Sequence, residues 1–150
     1  MLRKIVLFLK LDNKRKLIFL EAFYFLGWAR IRKAGKFSTL AFSLGEHMRV
    51  TNENVPENID EVYELKRISE VLKVVSKYTI WQSVCFEQAV AAMKMLERRK
   101  IESTVYFGTA RDEKGNFVAH AWLRSGPFII TGGEVKDQFT IVSMYAKFIK

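Results

Sequence analysis

The most regular hydrophobic pattern in the chain lies between residues 60 and 77. There Val62, Leu65, Ile68, Val71, Leu72 and Val75 recur at three- and four-residue steps with charged residues between them. That period is the one-sided stripe of an amphipathic helix. Asn58 or Asp60 can cap it, because a side-chain oxygen there accepts a free amide of the first turn. A second stripe follows. Phe86, Ala89, Val90, Met93 and Leu96, broadened by Ala92 and Met95, predict a central, largely buried helix from Cys85 to about Arg99. The run ERRK at 97–100 places cations at its C-terminus, where they complement the helix dipole.

Beyond residue 100 the period shortens to two. Ile101 to Ala110 reads as a β-branched and aromatic strand, RDEKGN as a hairpin loop, Phe117 to Arg124 as a second strand, SGP as a tight turn and Phe128 to Thr131 as a third strand. Alternation in the middle strand puts Val118, His120, Trp122 and Arg124 on one face and Phe117, Ala119, Ala121 and Leu123 on the other. With a tight turn, position 120 pairs with about position 131, so His120 and Thr131 share a face. If the preceding helix packs on that face, the imidazole comes within reach of its cysteine.

The first third is patterned differently. In LIFLEAFYFLGWA, residues 17–29, Leu17, Leu20, Phe23, Tyr24 and Gly27 fall at helical spacing, while Ile18, Phe19, Ala22, Phe25 and Leu26 fill much of the remaining circumference. A helix apolar nearly all round is expected to be covered on several sides. It is about a dozen residues long and carries Glu21, short of the roughly 20 apolar residues a membrane span needs. Arg30, Arg32, Lys33 and Lys36 form a basic stop after it, which also leaves room for a membrane-surface role. The opening MLRKIVLFLK has the basic flank and apolar run of a weak export signal. No small-residue cleavage site follows it, so a cytoplasmic protein is expected. Residues 43–60, rich in Gly, Pro, Asn and Asp, read as the main loop, with His47 as an exposed loop histidine.

Patterning makes the chain α+β, and length and composition support one ordered domain of 150 residues: 49% are apolar, 13% aromatic, and only 2 are proline. A single cysteine excludes an internal disulfide, and no Cys and His spacing calls for a metal or cofactor. The net charge of +9 is lopsided. Residues 1–50 carry 11 Lys and Arg against 3 Asp and Glu, whereas residues 51–150 carry 14 against 13. A docking surface for an anionic partner is therefore expected in the first third. A nucleic-acid protein would share this charge, but no recognised motif for one is present.

The chemistry-bearing residues are Cys85, at a helix start, and His120, in the strand segment AHAW. A thiol on a helix followed by an imidazole on a strand is the minimal layout of a papain-like or transglutaminase-like cysteine enzyme. Ser83 as N-cap sets Cys85 in the first turn, where free amides and the dipole favour the thiolate. Thr79 with Gln82 is the alternative capping box and pushes Cys85 one turn inward.

WQSVC at 81–85, FEQAVAAMKMLERRKIESTVYFG after it, and AHAWLRSGPFIITGG together resemble the core of the lasso peptide biosynthesis B2 proteins. These are leader-peptide proteases of transglutaminase-like fold, related to the maturation protease of microcin J25. The resemblance covers residues 60–140 well and the segment LIFLEAFYFLGWARIRK more loosely. It implies a cysteine protease with Cys85 as nucleophile and His120 as general base, acting on a precursor leader peptide. It also implies a separate leader-recognition protein of the B1 type and a distinct ATP-dependent macrolactam cyclase. Where the family pattern has an Asp, this chain has Gly132 and Gly133. The third member is then Glu134, with Asp137, Thr131 or a backbone carbonyl as alternatives. The amide of Cys85, with Gln82 or Trp81, can supply oxyanion donors. Two other readings use the same fold: a transglutaminase-like acyltransferase, and a catalytically silent binding module with Cys85 in its core.

Overall fold

The computed structural model describes residues 2–79 and 84–150. Three helices open the chain, α1 Leu2–Leu9, α2 Asn13–Ala34 and α3 Phe37–Leu44, followed by a two-residue strand β1, Glu46–His47. Helices α4 (Ile59–Val75) and α5 (Cys85–Arg98) come next, then strands β2 (Ser103–Arg111), β3 (Phe117–Ser125) and β4 (Phe128–Thr131). A short 3-10 helix, Gly133–Gln138, leads into β5, Thr140–Lys147. The strands form one antiparallel sheet in the order β1-β5-β2-β3-β4. The fold is α+β, as the patterning predicts.

Helix α4 starts at an Asn58 cap, whose side chain accepts from the Asp60 amide at 2.9 Å. Its stripe of Leu65, Ile68, Val71, Leu72 and Val75 is buried. Helix α5 buries nearly its whole length: Ala89, Val90, Ala91, Ala92, Met93, Met95 and Leu96 are all without solvent exposure. Helix α5 packs on β2, β3 and β4 and helix α4 on β4, with Val105, Ala121, Leu123 and Ile130 of the sheet in the shared core. At about 25 cal/mol per Å² of apolar surface, this core is the dominant favourable term of the fold. Arg99, just past the end of α5, ties three helices together: both Nη atoms reach the Glu21 carboxylate of α2 at 2.8 Å, and Nε reaches Glu64 of α4 at 3.0 Å. Hydrogen bonds donated to Glu21 outweigh partial burial and raise the Arg99 pKa above its usual value, so the charge stays fixed.

Three expectations are corrected. Helix α2 is not covered on several sides. Only Ile18, Ala22, Leu26 and Ala29 are buried, whereas Leu17, Leu20, Tyr24 and Ile31 stand 57–75% exposed. His47 is not a loop residue but sits in β1, opposite Tyr145, with its ring on the tyrosine and Nε2 at 3.0 Å from Ser143 Oγ. Thr131 pairs with Leu123, not with His120, because the turn pairs Ser125 with Phe128, a register shift between Leu123 and Arg124 takes up one more residue of β4, and β4 then ends.

The far face of the sheet has its own cover. Arg124 is buried and donates to Tyr106 Oη at 3.0 Å, Gly126 O at 2.7 Å and Thr51 O at 3.0 Å, which fixes the segment before α4 over β2 and β3. A buried guanidinium is tolerable because its donors are spent on fixed acceptors.

Candidate active site

Val84 precedes α5 in an extended conformation and gives no side-chain cap, so Cys85 is the first helical residue. The thiol therefore lies in the first turn, where backbone amides lack intrahelical partners. The sequence reading of Ser83 as N-cap is corrected by one residue, to Val84. Thr79 Oγ1 donates to Ser76 O at 3.2 Å, closing the end of α4, so the capping-box start that would carry Cys85 a turn inward is not the one adopted. Trp81 and Gln82, the side-chain oxyanion candidates, lie outside the described residues, as does Ser83.

His120 stands in β3 opposite Gly108 of β2. Its ring lies against Trp122 with centroids 5.7 Å apart and against Phe139 at 5.0 Å. Its Nε2 is 2.7 Å from the carbonyl oxygen of Gly132. A carbonyl only accepts, so Nε2 carries the hydrogen and donates, and Nδ1 of the neutral ring keeps its lone pair. The base is thus oriented by backbone. Gly132 allows this because it sits at φ +73°, in the left-handed region, and a Cβ there would lie 2.6 Å from Ala121 O and 3.1 Å from His120 Nε2. Gly108 matters for the same neighbourhood: a Cβ on it would lie 2.9 Å from both Phe139 and Trp122, the two rings that hold the imidazole.

The carboxylates are elsewhere. Glu134 is exposed in the 3-10 helix and makes no hydrogen bond or ion pair among the described residues. Asp137 pairs with Lys136 at 2.9 Å and is 91% exposed. Thr131 is buried, with its hydroxyl unpartnered among the described residues. Of the four candidate orienters, a backbone carbonyl is the one the fold brings to the ring.

Helix α5 packs on the Ala121 and Leu123 face of β3, not on the His120 face, since those two residues join its core while Trp122 stacks on Tyr106. Even so, Cys85 and His120 line one cavity of about 630 Å³, the thiol from the helix start and the histidine from the middle of the sheet. No hydrogen bond joins them among the described residues. Catalytic hydrogen bonds are often long in unliganded enzymes and tighten around substrate. The cavity walls are mostly apolar, with Phe37, Leu40, Phe86 and Phe107 prominent, and Arg32 and Lys33 at one side.

A family model described as the transglutaminase-like superfamily matches residues 29–144, well over half of the chain. The chain belongs to the transglutaminase-like superfamily. This superfamily includes cysteine proteases and acyltransferases, both of which pass through a thioester on a cysteine. The match takes in α3, α4, α5 and every strand up to most of β5, and both Cys85 and His120 fall inside it. No curated protein and no solved structure matches the chain. Among the described residues, no helix is long and apolar enough to cross a membrane.

Sequence patterning leaves one feature of this transglutaminase-like site unspecified, since it offers a backbone carbonyl without saying which, and misses a second. One is the Gly132 carbonyl, for which the Gly-Gly pair at a strand end was the available signal. The other is Glu87, fully buried two residues after Cys85 and 3.4 Å from Lys33 Nζ. An acid within the apolar stripe of α5 was the signal for it.

Proposed function

We propose that this protein is a cysteine protease that removes the leader peptide from a ribosomally made lasso peptide precursor. The observation that carries the reading is the single cavity lined by Cys85, at a helix start, and by His120, whose Nε2 is held by Gly132 O. The family resemblance of the segments around Cys85 and His120 supplies the substrate class. Nδ1 of His120 takes the thiol proton, and the thiolate attacks the scissile carbonyl with the Cys85 amide facing the developing oxyanion. Collapse breaks the C–N bond as the protonated imidazole gives its proton to the leaving amine. His120 then deprotonates a water that attacks the thioester, which releases the leader carboxylate and restores the thiol. The freed core amine passes to a separate ATP-dependent cyclase. A leader-recognition protein delivers the precursor, and the basic first third of the chain is the surface on which it docks, through the uncovered residues of α2.

The test is to incubate the protein with a lasso precursor and its leader-recognition protein and follow the products by mass spectrometry. Two fragments whose masses sum to the precursor plus water, formed with wild type and absent with Cys85→Ala, support the proposal. A product joined to an added amine would instead identify an acyltransferase. An intact precursor under all conditions would favour the silent binding module.

A further inference from the structure

Glu87 carries no solvent exposure, and a buried carboxylate is costly unless it is paired. Its Oε1 lies 3.4 Å from Lys33 Nζ and 3.9 Å from Arg30 Nη1, both near the end of α2. Its Oε2 has no hydrogen-bond partner among the described residues. The Lys33 ammonium also stands 5.5 Å over the ring of Phe86, so it is held between a buried acid and an aromatic face. Even so its side chain stays 47% exposed. Beside it Arg32 rests 5.3 Å over the Trp28 ring and makes no ion pair among the described residues.

Lys33 and Arg32 line the same cavity as Cys85 and His120, and no Asp or Glu among the described residues lines it. A fixed cation, a second unpaired cation and an aromatic wall are the parts of a site for a chain that is apolar at one residue and anionic at its neighbour. We infer that Lys33 and Arg32, with Glu87 as the positioning residue for Lys33, select substrates that carry a carboxylate side chain next to an apolar residue on the acyl side of the scissile bond. This rests on the protease reading above. The acyl side is chosen because that part of the substrate stays joined to Cys85 in the thioester and so occupies the cavity through both steps. The carboxylate completes the charge balance that Glu87 begins: two cations face the cavity and one of them already has a partner.

The test uses the intact protein and three dipeptidyl chloromethyl ketones with Leu next to the ketone and Glu, Gln or Lys before it. The Cys85 thiolate displaces chloride and forms a C–S bond, and the rate is read by intact mass and peptide mapping. The Glu probe should label Cys85 about tenfold faster than the Lys probe, with the Gln probe between, as two partly exposed charge pairs allow. Raising NaCl to about 0.5 M should narrow the gap by screening, without any substitution. Arg32→Glu should reverse the order, and Glu87→Gln, which unfastens Lys33, should reduce the preference severalfold. Equal rates for the three probes, or a gap indifferent to both salt and Arg32→Glu, would overturn this inference while leaving the protease reading intact. Failure of every probe and of iodoacetamide to label Cys85 in the native protein would overturn the protease reading and this inference with it.

Discussion

The two ends of α2 and the length of α5 show how differently the halves of this chain are finished. Every residue of α5 from Ala89 to Met93 is without exposure, and its sheet contacts are equally dry. Helix α2 is the longer of the two, yet it buries one narrow stripe and leaves Leu17, Leu20, Tyr24 and Ile31 in solvent. Helix α1 has no fully buried residue, and while Phe8 packs on Phe19, Leu2, Ile5, Val6 and Leu9 on one side of it stay exposed. The charge divides the same way, with +8 on residues 1–50 (11 basic, 3 acidic) against +1 on residues 51–150 (14 basic, 13 acidic). The contrast teaches that α5 is enclosed by α2, α4 and the sheet, whereas the outer sides of α1 and α2 carry apolar residues with nothing over them among the described residues. Uncovered apolar residues fenced by cations are the features on which the proposed docking of a leader-recognition protein rests.

The sharpest break of this comparison is at the site itself. Cys85→Ala should remove cleavage altogether, and His120→Ala should lower kcat by about 10²–10⁴-fold, the usual worth of a general base. Both should leave the thermal unfolding transition in place, since neither residue belongs to the fully buried core. Next in size, Leu96→Ala in α5 should cost about 2–5 kcal/mol, because it empties a fully buried volume, while Leu20→Ala on the open stripe of α2 should change stability by less than about 0.5 kcal/mol. Equal losses in urea unfolding would erase the distinction between the halves.

A third prediction separates the orienter of His120 from its rivals. Gly132→Ala forces a side chain into a left-handed residue and against Ala121 O, so it should cost about 1–3 kcal/mol and lower kcat more than its effect on folding explains. Glu134→Gln should leave kcat within about twofold, because the carboxylate is exposed and does not touch the ring.

The smallest effect concerns acid. Burial raises the Glu97 pKa, but hydrogen bonds from Lys94 and Lys147 more than reverse that and hold it below the ordinary value. A lowered folded-state pKa adds stability that is present above the unfolded value and is lost as pH falls through the folded one. Since Lys147 lies in β5 and Lys94 also donates to Ser43 O, at 2.7 Å, this pair links α5 to β5 and to the end of α3. Glu97→Gln should therefore flatten the fall in stability below about pH 4.5, measured by urea midpoints.

Much of this was readable from residue order, and the exceptions have physical causes. The stripes of α4 and α5 and, to within two residues, the spans of β2, β3 and β4 follow from period, because each element buries one face in the core; β2 starts at Ser103, two residues later than its apolar run. The Asn58 cap is one of two that local rules allow, and the first-turn place of Cys85 one of two helix starts, reached with Val84 rather than Ser83 as the N-cap. Helix α3, Phe37–Leu44, was not anticipated, since its eight residues are too few to show a period. Strand β5 was missed although TIVSMYAK is a strand-like run, and its place between β1 and β2 is a long-range pairing that no local pattern encodes. The α2 reading failed because apolar content says what wants covering, not whether this chain supplies the cover. For the site, Cys85 and His120 were legible as residue types in order along the chain. Their shared cavity and the Gly132 carbonyl depend on register and on one left-handed glycine.

Whether Cys85 and His120 act as a couple is read most directly from the alkylation rate of Cys85 by iodoacetamide in native wild type and in His120→Ala. A coupled pair should label rapidly in the native protein and at least about tenfold more slowly when the imidazole is removed. A rate that is the same with and without His120, or a thiol that reacts only after unfolding, would contradict the coupling.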